Sequence, residues 1–136
     1  MRNENLRDRT KKFALQVIKF VETFPKERTA DIIGRQLIRS GTSVGANYRA
    51  ACRARSPADF IAKMGIVEEE ADESIYWLEM LADTNLVSKE DYLKLTDEAN
   101  QILSIVVASI KTARANKEKY SHEPKSSVQY AKSGDQ

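Results

Sequence analysis

Between Arg39 and Ser56 the chain reads RSGTSVGANYRAACRARS, placing small residues, one amide and four arginines inside what the flanking apolar spacing requires to be one long helix. Gly41, Thr42, Ser43, Gly45 and Ala46 suit an isolated helix poorly, each glycine costing about 1 kcal/mol relative to alanine. The compensation expected is a second helix at close range, because a face without bulky side chains lets a partner's side chains come near the backbone. The alternative is a break or loop over 40–45, which splits this helix and leaves the rest of the fold intact.

Four segments carry the 3.6-residue apolar period of an amphipathic helix. The first, about Leu6 to Phe24, has the stripe Phe13, Val17, Val21 and Phe24, widened by Ile18 and Phe20, and Pro25 ends it by pushing the preceding residue out of the α region. The second, about Thr29 to Arg55, is expected to bury Ile33, Leu37, Ser40, Val44, Asn47 and Ala51. Ser56-Pro57 and Asp59 start the third: a serine N-cap, proline at the first helical position, and a carboxylate near the positive end of the helix dipole. Its stripe is Phe60, Met64, Val67, Ala71, Ser74, Leu78 and Leu81. Ser88 and Asp91 repeat the signal before the fourth helix, with the stripe Tyr92, Leu95, Ala99, Ile102, Val106 and Ile110. Short connections between four such helices predict an all-α fold, an antiparallel up-down-up-down four-helix bundle.

At 136 residues and 15.4 kDa the chain suits one domain and is too short for two. Residues 1–119 are expected to form it, and from Tyr120 onward SHEPKSSVQYAKSGDQ has no period and reads as a disordered tail over 120–136. The opening MRNENLRDRTKK lacks an apolar core, and no run of about 18 apolar residues occurs, so neither a signal peptide nor a membrane span is expected and the address inferred is cytoplasmic. Cys52, the single cysteine, excludes an internal disulfide and reads as a small packed residue.

The stretch from Arg39 to Ser56, with Asp59-Phe60, the run IVEEEADES from Ile66 to Ser74 and YWLEML from Tyr76 to Leu81, resembles the four-helix bundle proteins also known as 23S rRNA intervening-sequence proteins. Phe24-Pro25, Gln36-Leu37 and the serine-rich turn of the second helix belong to the same ordered set, and the similarity spans about Phe13 to Ala115. The resemblance implies a ring-like homopentamer, as in the related accessory protein of diversity-generating retroelements, which contacts nucleic acid and a reverse transcriptase. It transfers no active site. Many relatives place an acid shortly after the asparagine matching Asn47, whereas this chain continues Tyr48-Arg49-Ala50-Ala51, a more basic surface.

Asn47 falls on the core stripe, where an unpaired amide would cost about 1 to 3 kcal/mol. It is read as a structural polar core residue that sets register by a hydrogen bond within or between subunits, the alternative being ligand contact. Ile61, Ile66, Ile75, Tyr76 and Trp77, with Leu93, Leu103 and Val107, lie off the stripe that a lone bundle needs. Ile61, Ile75, Tyr76 and Trp77 are therefore candidates for an oligomer interface, the alternative being that they flank a wide core.

A net charge of +2 hides a strong separation. Residues 1–12 hold five cations against two acids, residues 49–63 four against one, and residues 111–119 four against one, a balance of +3 each. These segments carry +9 together, leaving −7 for the remainder, and an up-down bundle brings them to one pole. Along the second helix, Arg35, Arg39, Thr42, Ala46, Arg49 and Arg53 follow the core rhythm displaced by two residues, about 200° of rotation, so they point outward. Arginine's planar fork suits phosphate oxygens, and clustered cations give salt-dependent affinity for nucleic acid. Arg49, Arg53, Arg55, Lys63, Lys111, Arg114 and Lys117 are the candidate nucleic-acid-binding residues. The competing reading is neutralisation by Glu68, Glu69, Glu70, Asp72, Glu73 and Glu79 of the third helix, most pertinent for Arg35 and Arg39.

His122 is the sole histidine and lies in the expected tail, so the chain offers no histidine base, Ser-His-Asp triad or HExxH zinc helix. The run EEEADE lacks the Glu-x-x-His pairs of a di-iron bundle, and SGTSVG lacks the lysine of a phosphate-binding loop. No enzyme, cofactor, metal or small-molecule substrate is expected. Two readings survive: an oligomeric adaptor that binds structured RNA or DNA and recruits a protein partner, or a structural oligomer and protein-recruitment scaffold with no nucleic-acid role.

Overall fold

A computed structural model describes residues 5–120 of the chain, so the residues of the expected tail beyond Tyr120 lie outside the described residues. Helix α1 spans Leu6–Val21, α2 Arg28–Cys52, α3 Pro57–Asp83 and α4 Lys89–Tyr120, and there is no strand among the described residues. Helix α1 packs on α2 and α4, and α3 packs on the same two.

The helix ends follow from capping chemistry. Asn5 Oδ1 accepts from the Asp8 amide at 2.9 Å to start α1. Helix α1 then stops at Val21, three residues earlier than its apolar stripe suggests, because the amides of Thr23 and Phe24 bond the carbonyls three residues back, a tightened final turn. That turn swings Phe24 edge-on against Phe20, with ring centroids 5.0 Å apart. Ser56 is extended (φ −158°, ψ 162°) and its hydroxyl accepts from the Asp59 amide at 3.0 Å, with Pro57 in the first turn of α3. The need for that extended cap explains why α2 ends at Cys52 and not at Arg55. After α3, Asn85 takes a left-handed conformation (φ 58°) and the Leu86 amide returns to the Leu81 carbonyl, reversing the chain toward α4.

Helix α2 is unbroken through Ser40 to Gly45, and α1 supplies the close partner. A Cβ on Gly34 would sit 2.9 Å from Val21 Cγ1, one on Gly41 3.1 Å from Val17 Cγ2, and one on Gly45 3.1 Å from Thr10 Oγ1. The pairing falls along α1 as it rises along α2, so these two helices run antiparallel. The polar residues here bond their own helix: Thr42 Oγ1 donates to the Ile38 carbonyl at 2.7 Å and Ser43 Oγ to the Arg39 carbonyl at 2.6 Å.

All seven residues of the α3 stripe are buried, and on α4 Leu95, Ala99, Ile102, Val106 and Ile110 are too, with Tyr92 half-buried. The expectation for Asn47 is corrected in its position: it is half-buried, its amide donating to the Ser43 carbonyl at 2.8 Å, while Tyr48 next to it enters the core. Thr10, Ser40 and Ser74 are buried polar side chains among the described residues. Ser74 Oγ donates to Ser40 Oγ at 3.0 Å, a hydrogen bond between α2 and α3 inside the apolar core.

Gly65 differs from the glycines of α2, since apart from its neighbours in the chain and the backbone of its own helix no atom lies within 4 Å of where its Cβ would be. Gly65→Ala should therefore stabilise the fold by about 1 kcal/mol through helix propensity. Gly41→Leu should cost about 1 to 3 kcal/mol or more by overpacking against Val17, a stiff β-branched residue with no exposed surface. Chemical denaturation of both variants checks the contrast.

Candidate nucleic-acid interface

The cations divide into two classes. Arg9 of α1 reaches α4, where its Nε lies 2.7 Å from Glu98 Oε2 and its Nη2 2.6 Å from Gln101 Oε1. Arg35 pairs at 3.0 Å with Asp31 one turn back on its own helix, not with α3. Arg39 does cross to α3, to Glu70 at 3.2 Å and to Glu73. Lys63 is held by Asp59 at 2.8 Å, so this candidate cation already has a carboxylate. Asp59 is pushed below the usual carboxylate range, chiefly by that ammonium and then by the Arg55 amide.

Arg49, Arg53, Arg55, Lys111, Arg114 and Lys117 behave otherwise. All six are exposed and make no ion pair among the described residues. The outward stripe of α2 thus changes character along its length, from paired at Arg35 and Arg39 to unpaired at Arg49 and Arg53. Spacing alone could not separate the two classes, because it does not show where the α3 carboxylates fall along α2.

Of the residues expected at an oligomer interface, Ile61, Ile75 and Trp77 are half-buried against the core, while Tyr76 is 51% exposed. Ile66 at 42% and Leu93 at 51% are the other large exposed apolar side chains of α3 and α4 that the sequence pattern singles out. Between these helices runs a shallow groove of about 400 Å³ lined by Gly65, Glu68, Glu69, Asp72, Leu103 and Val107. Among the described residues no group of three or more His, Cys, Asp or Glu is arranged to hold a metal ion, and no helix is long and apolar enough to cross a membrane.

Trp77 joins the paired class. Its indole N–H donates to Glu73 Oε2 at 3.1 Å, and its ring meets Tyr76 edge-on with centroids 5.0 Å apart. The Glu73 carboxyl is held below its ordinary value, first by that indole donor and then by the Arg39 guanidinium, against its partial burial. A carboxyl depressed in the folded state stabilises the fold above its unfolded pKa, and that contribution is lost as pH falls through the folded value. An acid titration of Trp77 fluorescence should show a step below the ordinary value of a glutamate that Glu73→Gln removes; a step persisting in the variant would assign it to another group.

The model of the 23S rRNA-intervening sequence protein family matches residues 2–108. A crystal structure of a protein of unknown function from the S23 ribosomal protein family, from Bacteroides thetaiotaomicron, is 37% identical, with a TM-score of 0.71, covering 78% of this chain and 98% of that one. No curated protein matches. Four helices, a glycine-lined seam and a match over most of the chain agree with the resemblance carried by the sequence motifs: this chain belongs to the 23S rRNA-intervening sequence protein family.

Proposed function

We propose that this protein is a non-enzymatic, cytoplasmic, oligomeric four-helix bundle that binds structured RNA or DNA through its unpaired cations. The observation that carries the reading is that the side chains of Arg49, Arg53, Arg55, Lys111, Arg114 and Lys117 make no ion pair among the described residues while Arg9, Arg35, Arg39 and Lys63 are paired. Free guanidinium and ammonium groups release condensed counterions when they meet phosphates, whereas groups already neutralised gain little.

Two further features belong to the proposal. The helices run up-down-up-down, which gathers the end of α2, the start of α3 and the end of α4 at one pole. The antiparallel contact of α1 with α2 and the short connections at 53–56 and 84–88 support that order. The chains assemble as a homopentamer, for which exposed Tyr76, Ile66 and Leu93 are the apolar surface at hand. The second reading, a scaffold with no nucleic-acid role, draws its support from Arg39, whose commitment to Glu70 and Glu73 is what internal neutralisation looks like.

Light scattering at micromolar concentration should return five times the 15.4 kDa chain mass; a monomer would remove the assembly. A gel-shift series with duplex and hairpin RNA at rising salt should show binding that weakens steeply with salt and is lost when Arg49, Arg53 and Arg55 are changed to glutamine. Absence of binding even at low salt would leave the scaffold reading in possession.

A further inference from the structure

Arg7 and Lys11 of α1 are exposed and, like Arg49 and Arg53 of α2, make no ion pair among the described residues. Helix geometry sets where they stand. Thr10 faces Gly45, and each residue turns the helix by about 100°. Arg7 lies about 60° round from Thr10, and Lys11 about 100° in the same sense. Arg9 lies about 100° round in the opposite sense, and there it bonds Glu98 of α4. Arg7 and Lys11 are therefore on the solvent side of the α1–α2 seam. On α2, Arg49 and Arg53 lie about 40° and 80° round from Gly45, in the sense away from buried Val44.

The two helices run antiparallel here, so one turn back from Thr10 and one turn on from Gly45 reach the same level, and Arg7 stands across the seam from Arg49. Within each row the cations are one turn apart, about 6 Å, and the rows are separated by no more than the 8 to 10 Å typical of packed helix axes, about as close as glycine allows. Asp8, the acid nearest on α1 among the described residues, lies about 160° round from Thr10, past Lys11 and away from α2.

Lys111 and Arg114 belong to a different side. Val107 lines the groove that α4 shares with α3, and Lys111 is one turn further along that face. Since α1 and α3 each pack on both α2 and α4, the α3–α4 groove and the α1–α2 seam lie on opposite sides of the bundle. A straight duplex cannot lie along both.

We propose that Arg7, Lys11, Arg49 and Arg53 form one phosphate-binding strip along the α1–α2 seam, taking the sugar–phosphate backbone of a nucleic-acid duplex. This rests on the nucleic-acid reading above and narrows it to one side of the bundle, adding two residues of α1. The glycine contact beneath the strip holds the two rows in fixed relation, so the charges are arranged before the ligand arrives.

The test is fluorescence anisotropy of a short labelled duplex with the full chain at rising potassium chloride. Each cation–phosphate pair removed should flatten the slope of log affinity against log salt by about 1. The double change Arg7→Gln with Lys11→Gln should flatten it by about 2, and by more than Lys111→Gln with Arg114→Gln does. All four side chains are exposed, so helical content and melting midpoint should match the parent protein and serve as the folding control. If the unaltered protein binds and the slope responds only to the α4 pair, the strip is refuted while the nucleic-acid reading stands. If the unaltered protein binds no duplex at any salt, both fall.

Discussion

The contact of α1 with the glycines of α2 is the constraint on which the remaining architecture depends. Val21, Val17 and Thr10 occupy the space that side chains at positions 34, 41 and 45 would otherwise take, so this face of α2 admits α1 at close range. That contact resolves the poor intrinsic helicity of the segment, since the tertiary packing it permits outweighs a propensity deficit of about 1 kcal/mol per glycine. The price appears in the neighbouring hydroxyls, which turn inward to their own carbonyls, while Ser40 with Ser74 bridges α2 and α3 in the buried core and Arg39 with Glu70 and Glu73 bridges them at the surface.

Ion pairs divide along the molecule in a way that packing explains. Arg9 with Glu98 and Arg39 with Glu70 and Glu73 span different helices and are partly shielded by them, so they help fix which faces meet. Pairs such as Arg35 with Asp31 and Lys94 with Glu90 are exposed and lie within one helix, where such interactions are worth about 0 to 1 kcal/mol. Past Arg39 the acids on α3 give way to Gly65, Lys63 and Ala62, and among the described residues Arg49 and Arg53 have no carboxylate to meet.

Much of this was legible in the sequence because burial in helices is periodic. The α3 stripe was readable in full, and the capping signals at Ser56 and Ser88 located the starts of α3 and α4. Two features resisted. Asn47 and Tyr48 differ by about 100° of rotation, and at the edge of a stripe periodicity cannot say which of two neighbours turns inward. The Ser40–Ser74 bond joins residues 34 apart, and although each sat on its own stripe, nothing local relates the levels of two stripes. The cation surface was visible as composition, but its division into paired and unpaired groups depends on that same relative level.

Helix α4 runs for 32 residues against 16 for α1. At about 1.5 Å per residue it is about 48 Å long, whereas a compact fold of 136 residues has a radius of gyration of about 14 Å. A single chain built around such a strut is prolate. The rotational diffusion of a lone chain is accordingly anisotropic, with end-over-end tumbling slower than spin about the long axis, so that relaxation rates tied to the angle each bond makes to α4 would mark the unassembled form.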